Sequence, residues 1–293
     1  MIASVPSVSV PAAERHLIAL DIDGTVMPFG ERDERGEYIP ATPSTEVAEA
    51  IRILHRAGHE VVVATGRAVD ATLDVVEQLR IQPDWVVAAN GAVTLRRDAL
   101  APRAYRRDRV ESFDPRGLLE RIRTHLITAA YGVETDEGEF LYTEKMPSGT
   151  LPRWQRKVTF DELLEARASR LLVVSPDHAL QDFLEISKSL GLNRVSYAVG
   201  LTTWFDIAPE GVTKASALEL IRGKLAIDPS RVFAAGDGEN DIQMLQWAKR
   251  FGDSVAMGQA DAHVQESAGR VTGTVYENGL ATALSERFVS LLG

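Results

Sequence analysis

Leu17-Ile18-Ala19-Leu20-Asp21-Ile22-Asp23-Gly24-Thr25 is the stretch on which the reading of this chain turns. Its first four residues form a short apolar run that suits a buried strand, and Gly24 lets the backbone turn sharply out of it. Residues i and i+2 of a strand point to one face, so Asp21 and Asp23 start out close together at the strand's carboxyl end. In an open α/β sheet, ligands bind along that edge. Two neighbouring carboxylates repel unless a cation lies between them or one takes up a proton, and either arrangement is useful for chemistry. A polar turn after a strand would look the same over so few residues, so the rest of the chain has to decide.

Similar apolar runs recur at Glu60–Ala64, Trp85–Ala89, Val232–Ala235 and Ser254–Met257. Between the first three lie helical patterns. Thr45–Ala57 carries Val47, Ile51 and Leu54 at helical spacing, with Gly58 as a stop, and Val69–Leu79 carries Leu73, Val76 and Leu79. Strand and helix in alternation predict an α/β fold: a Rossmann-like, doubly wound parallel sheet covered on both faces. The alternation breaks after Asn90-Gly91-Ala92. A charged run from Arg96 to Arg109 follows, then a helical Arg116–Leu126. Strand-like segments come around Gly132–Tyr142, Ser169–Val174 and Arg194–Val199, with a further helix over Ala179–Leu190. The expected organisation is a core over residues 14–92 and 206–293, an inserted α+β domain over 93–205, and a loose, disordered tail over 1–13.

Composition narrows the function. The net charge is −10, whereas a nucleic-acid binder would show a basic face. The expected insert is close to neutral, so nearly all of that charge lies outside it. There is no cysteine, which excludes disulfides and thiolate metal sites and fits a cytoplasmic setting. No stretch approaches the roughly eighteen apolar residues that a membrane helix needs. The first thirteen residues lack the basic start and continuous apolar core of a signal peptide.

Three more polar patches fall where strands end or helices begin. Thr65-Gly66-Arg67 follows Val61–Ala64, Lys214 opens a helix after Gly211-Val212-Thr213, and Gly236-Asp237-Gly238-Glu239-Asn240-Asp241 follows Val232–Ala235. Alone, each has an ordinary reading: an N-cap threonine, an exposed helix lysine, a Gly/Asp turn. Together they bring a hydroxyl, an ammonium and several carboxylates to one sheet edge. That set suits a phosphate monoester bound with Mg²⁺: carboxylates hold the metal, and metal and lysine offset charge on the phosphoryl group. A carboxylate nucleophile can take that group covalently and divide one hard step into two. The six histidines are scattered and read as structural or surface residues.

The four patches, in this order, resemble the motifs of the haloacid dehalogenase superfamily of hydrolases. Asp21-Ile22-Asp23-Gly24-Thr25 matches the first motif, Thr65 the second, Lys214 the third and Gly236–Asp241 the fourth. An insert between motifs two and three resembles the C2 cap arrangement. Asn90-Gly91-Ala92, Gly211-Val212-Thr213-Lys214 and Val255-Ala256-Met257-Gly258 are similar to the Cof-type branch, subclass IIB, with a C2B cap. The resemblance covers nearly everything from Leu17 to Leu284; Ala215 departs from it, since many Cof-type relatives have Gly after the lysine.

The resemblance implies that Asp21 is the nucleophile and forms an aspartyl-phosphate. It implies that Asp23 is general acid for the leaving alcohol and then base for the attacking water. Asp21, the Asp23 carbonyl and Asp237 would hold Mg²⁺. Thr65, the Gly66 backbone and Asn240 would bind phosphate oxygens. Lys214 would steady nucleophile and phosphate, with Asp241 orienting Lys214 or a metal-bound water. Arg67 and Asn90 each follow a core strand and should face the cap. Arg103, Arg106, Arg107, Tyr142, Trp154 and Trp204 are further candidates for gripping the leaving group. The expected activity is a Mg²⁺-dependent phosphatase acting on small phosphorylated metabolites, either sugar phosphates or phosphorylated cofactors, with no nucleic-acid or membrane partner. The alternatives are a phosphomutase of the phosphomannomutase type and a non-catalytic phosphosugar-binding protein. The sequence leaves the oligomeric state open.

Overall fold

The computed structural model describes residues 10–33, 38–146, 151–175, 185–186 and 204–292. In chain order the described strands are β1 (Leu17–Leu20), β2 (Glu31–Arg32), β3 (Tyr38–Ile39), β4 (Glu60–Val63), β5 (Trp85–Ala88), β6 (Val93–Arg97), β7 (Tyr105–Val110), β8 (Ala130–Thr135), β9 (Phe140–Tyr142), β10 (Gln155–Lys157), β11 (Ala168–Val174), β12 (Trp204–Ile207), β13 (Val232–Gly236), β14 (Asp253–Ala256) and β15 (Arg270–Val271). The helices that matter here are α1 (Thr45–Arg56), α2 (Val69–Leu79), α3 (Arg116–His125), α4 (Phe160–Leu164), α5 (Lys214–Lys224), α6 (Ile242–Lys249), α7 (Ala262–Ser267) and α8 (Gly279–Arg287).

The first sheet runs β15-β14-β13-β1-β4, with every neighbouring pair parallel. All four residues of β1 are fully buried, as a central strand between two helix layers requires. Its side chains alternate between two cores. Ile18 and Leu20 join Val61, Val63, Phe233 and Val255 on the side covered by Ile51 and Leu54 of α1 and Leu280 of α8. Leu17 and Ala19 join Val62, Val232 and Ala234 on the side covered by Leu218 and Ile221 of α5 and Met244 of α6. The doubly wound α/β core expected from the sequence is therefore present. Each fully buried Leu, Ile or Phe in it contributes about 1.5–3 kcal/mol.

Beyond β4 the sheet continues through an isolated parallel bridge, Ala64 to Val87, into the antiparallel set β5-β6-β7. The insert was expected to start at residue 93, but Val93, Leu95 and Tyr105 are buried with Ile18 and Leu20. The turn at Ala89–Gly91 sends the chain back along β5 instead of away from it. Arg96 to Arg109 reads as a charged run because it supplies the outer strands of this sheet.

A second five-stranded sheet has the order β10-β9-β8-β11-β12. The stretch expected as a strand around Gly132–Tyr142 is a hairpin, closed by Thr135 N–H donating to Glu139 O at 2.8 Å. Helices α3 and α4 cover one face: Leu119, Ile122 and Leu163 pack on Tyr131, Val133, Leu171 and Val173. Asp206 and Ile207, assigned from sequence to the core, lie in β12 and pair with β11. The helix expected over Ala179–Leu190, apart from residues 185–186, and the strand expected over Arg194–Val199 lie outside the described residues. So do residues 1–9 of the expected tail, whereas Val10 N–H already bonds Ala57 O at 2.8 Å. No helix among the described residues is long and apolar enough to cross a membrane.

Glu60 opens β4 at the sheet end opposite Asp21. It is buried, accepts from Trp85 N at 3.1 Å and pairs with Arg15. Burial, only partly offset by Arg15, pushes its carboxyl up to about 7. A folded-state pKa above the unfolded value favours the native state fully at low pH and loses that contribution as pH rises through about 7. We therefore expect wild type to lose up to about 3 kcal/mol of stability relative to Glu60→Gln between pH 4.5 and 8, read from urea unfolding across that range.

Candidate active site

Asp21 follows the last residue of β1, and its backbone N–H is still held by Ala235 O at 3.1 Å. The chain then closes tightly: the amides of Thr25, Val26 and Met27 all donate to Ile22 O. Gly24 has φ +82° within this turn, and a Cβ there would lie 2.0 Å from Asp237 Oδ2. The glycine thus allows the β1 and β13 loops to meet. Asp237 lies at that junction, with Thr25 Oγ1 donating to its Oδ1 at 3.5 Å and Gln259 Nε2 to its Oδ2 at 3.2 Å. Gln259 also donates to Gly24 O at 2.6 Å and so ties a third loop to the same point.

Lys214 is the first residue of α5, whose N-cap Thr213 accepts from Ser216 N at 3.0 Å. A cation at a helix N-terminus is opposed by the helix dipole, and this one is fully buried. Its Nζ donates to Asp21 Oδ1 at 2.6 Å and to Asp241 Oδ1 at 2.7 Å. Burial alone would lower the lysine's pKa, but these two carboxylates outweigh it and hold the ammonium above its ordinary value. Asp241 uses its other oxygen on the amides of Asp237 at 3.1 Å and Gly238 at 3.0 Å. Gly236 makes room for it, since a Cβ there would come within 2.5 Å of the Asp241 carboxyl carbon.

One ammonium does not neutralise this centre. Asp21, Asp237 and Asp241 each place a carboxylate oxygen within 4.8 Å of the others. Burial and the charge of Asp241 push the Asp21 carboxyl well up, Lys214 opposes them, and Asp237 and Asp23 add to the rise. Burial and Asp241 likewise raise Asp237 to about 7. A crowd of hard oxygen donors with excess negative charge is the environment that a divalent cation relieves, so the residues fit Mg²⁺.

The remaining candidates surround this centre. Arg67 donates Nε to Asp23 Oδ2 at 2.8 Å and Nη2 to Oδ1 at 2.5 Å, a paired contact that fixes the carboxylate plane. Thr65 is buried, and its Oγ1 accepts from Arg67 N at 3.2 Å. Asn90, in the left-handed region at φ 55°, accepts at Oδ1 from Asn240 Nδ2 at 2.9 Å. It donates Nδ2 to Asp206 of β12 at 3.3 Å and so reaches the second sheet. Gly66 packs directly under Asn90, where a Cβ would meet the amide oxygen at 3.0 Å. Of the residues proposed to grip a leaving group, Arg103 binds Asp74 and Glu77 on α2, Arg106 lies near Asp98 and Asp108, and Arg107 donates to Asp136 O. Tyr142 stacks on Phe140 at 6.3 Å and Trp154 is exposed, while the Trp204 side chain lies outside the described atoms. Sequence reasoning passed over Gln259, although it directly follows the Val255–Gly258 segment already singled out.

A profile of haloacid dehalogenase-like hydrolases matches residues 18–284. The chain belongs to this family. Over 280 residues it is 27% identical to the putative phosphatase YkrA of Bacillus subtilis, covering 92% of this chain and 96% of that protein. It is also 27% identical over 274 residues to the 5-amino-6-(5-phospho-D-ribitylamino)uracil phosphatase YcsE of the same organism, covering 92% and 94%. Among solved structures, BT1666 from Bacteroides thetaiotaomicron aligns with a TM-score of 0.69 at 25% identity, over 98% of each chain. The haloacid dehalogenase resemblance read from the four patches, Cof-type branch included, therefore holds. Removing the Lys214 ammonium should leave two buried carboxylates facing each other. We expect Lys214→Met to destabilise the metal-free protein by about 3–5 kcal/mol in urea unfolding, and by at least about 1 kcal/mol less in an Asp21→Asn background.

Proposed function

We propose that this protein is a Mg²⁺-dependent phosphatase of small phosphorylated metabolites, acting through an aspartyl-phosphate on Asp21. The observation that carries the reading is the buried Lys214 ammonium shared by Asp21 and Asp241, with Asp237 completing a three-carboxylate cluster. The phosphatase names of YkrA and YcsE support the activity.

Asp21, Asp237 and the Asp23 carbonyl would hold Mg²⁺, which supplies positive charge to offset that of the phosphoryl oxygens. Asp21 attacks phosphorus in line with the leaving oxygen, so a P–O bond forms to its carboxylate as the ester P–O bond breaks. Asp23 gives its proton to the departing alcohol, then takes one from the water that attacks the aspartyl-phosphate. That second attack releases inorganic phosphate and restores Asp21. Arg67 engages both Asp23 oxygens in this structure, so Asp23 takes up the proton it gives only when one of those two contacts opens. Lys214 keeps Asp21 oriented and offsets charge building on the phosphoryl oxygens. Thr65, the Gly66 amide and Asn240 complete the phosphate cradle, and Asp241 holds Lys214 in position. The second sheet with α3 and α4 serves as the cap and encloses the leaving group; closure excludes water until the second step.

Sugar phosphates and phosphorylated cofactors are the substrate classes to try first. Inorganic phosphate release from such a panel should need Mg²⁺ and disappear with EDTA. It should fall at least about a thousandfold in Asp21→Asn, the scale seen when a covalent nucleophile is removed. Release without added bisphosphate distinguishes hydrolysis from a mutase. Binding without release in Mg²⁺ would overturn the enzymatic reading, and release that survives Asp21→Asn would overturn the nucleophile.

A further inference from the structure

Four neighbouring strands of the parallel sheet, β15, β14, β13 and β1, end along the edge that carries the carboxylates. Gln259 joins the loops that leave all four. It sits in the tight turn after β14, which Ala260 N–H closes by donating to Met257 O at 3.0 Å. Its Oε1 accepts from Val275 N, in the segment after β15, at 3.0 Å. Its Nε2 donates to Gly24 O, after β1, at 2.6 Å and to Asp237 Oδ2, after β13, at 3.2 Å.

These contacts decide which way the amide faces. The two ends of a glutamine amide have nearly the same shape, and the hydrogen-bond partners tell them apart. The Val275 N–H needs an acceptor, so the oxygen lies there and the nitrogen turns to the active-site loops. Gly24 O and Asp237 Oδ2 are both acceptors, so each takes one of the two amide hydrogens. With its oxygen committed to Val275, the amide has no free lone pair to offer a cation and acts only as a donor. A donor to a carboxylate makes a charge-assisted bond, roughly twice as strong as a neutral one. Asp237 is thereby held through one oxygen. The Gly24 carbonyl adjoins that of Asp23 along the chain, so holding the one restricts the other. Gln259 thus restrains two of the three groups assigned to Mg²⁺, the Asp237 carboxylate directly and the Asp23 carbonyl through the next peptide. Gln265 of α7 offers a contrast. Its Nε2 donates to Gly258 O at 3.2 Å and to Ala260 O at 2.9 Å, so it braces the same turn from within.

We propose that Gln259 is a positioning residue that sets the Mg²⁺ affinity of this site by fixing Asp237 and the β1 loop in advance of the cation. The proposal rests on the metal site of the phosphatase reading and adds to it a residue outside the four patches. Mg²⁺ demands near-ideal octahedral geometry where Ca²⁺ tolerates irregular coordination, so loosening these groups should penalise Mg²⁺ more. The test is calorimetric titration of the metal-free protein with Mg²⁺ alone and with Ca²⁺ alone, on wild type, Gln259→Met and Gln265→Met. Gln259 is exposed and Met matches its length, so the variant should fold, which far-UV circular dichroism and a melting curve check. The Mg²⁺ Kd should rise at least about tenfold in Gln259→Met, as when a group that hydrogen-bonds a metal ligand is removed, and less than about twofold in Gln265→Met. The Ca²⁺ Kd should rise less than the Mg²⁺ Kd. If Gln259→Met does not fold, Gln259→Asn, whose amide is one methylene short of these partners, decides on the same criterion. A folded variant that melts lower but keeps the wild-type Mg²⁺ Kd would overturn the proposal and leave Gln259 a structural tie between loops. An equal rise in both variants would overturn it too, since the turn as a whole would then set the affinity. Wild type that binds no Mg²⁺ would overturn the metal site of the phosphatase reading and this proposal with it.

Discussion

The buried Lys214 ammonium is the interaction on which the rest of the arrangement depends. It joins the loop after β1 to the loop after β13 through Asp21 and Asp241, from the first turn of a third element. Helix dipole and burial both oppose a cation there. Its stability comes from the carboxylates, and theirs comes partly from it. Three chain segments far apart in sequence are thus held to one point by charge in a medium where charge is costly to misplace. Glycines at 24 and 236 let the loops come close enough for that, because a Cβ at either would collide with a carboxylate.

Such a centre is strained by design. Burial first, and then a negative charge that exceeds the positive, push Asp21 and Asp237 upward. Residues placed only for stability would not be gathered this way, since surface carboxylates are easily kept apart in water. Three carboxylates so close together suit a ligand that brings positive charge.

Much of this was legible in the sequence. Asp21 and Asp23 end a fully buried strand, Lys214 follows a helix cap and Asp237 follows another buried strand, and each of these facts is local. The parallel core was legible for the same reason, because four-residue runs such as Leu17–Leu20 and Glu60–Val63 are apolar enough to mark themselves. What the sequence obscured was pairing at a distance. Val93–Val110 looked like the start of an insert because its arginines hide an alternation that buries Val93, Leu95 and Tyr105 in the core. Arg67 was expected to face the cap, but its reach to Asp23 depends on where two strand ends meet. Nothing in the sequence marks Glu134 and Arg170 as neighbours, since their pairing is set by the register of β8 against β11.

The way the chain leaves the second sheet has a mechanical consequence. Strand β12 ends at Ile207, and Lys214 begins α5 after only the residues numbered 208–213. A tether of that length spans at most about 20 Å when fully drawn out. It contains Pro209, which fixes one torsion and accepts from Val212 N at 3.1 Å, and Gly211 at φ +76°, a conformation that favours glycine. A displacement of the second sheet is therefore delivered along covalent bonds to the terminus that carries the ammonium. The sheet and the charge it overlooks are thus joined by a tether of six residues, beside the second connection at 111–115.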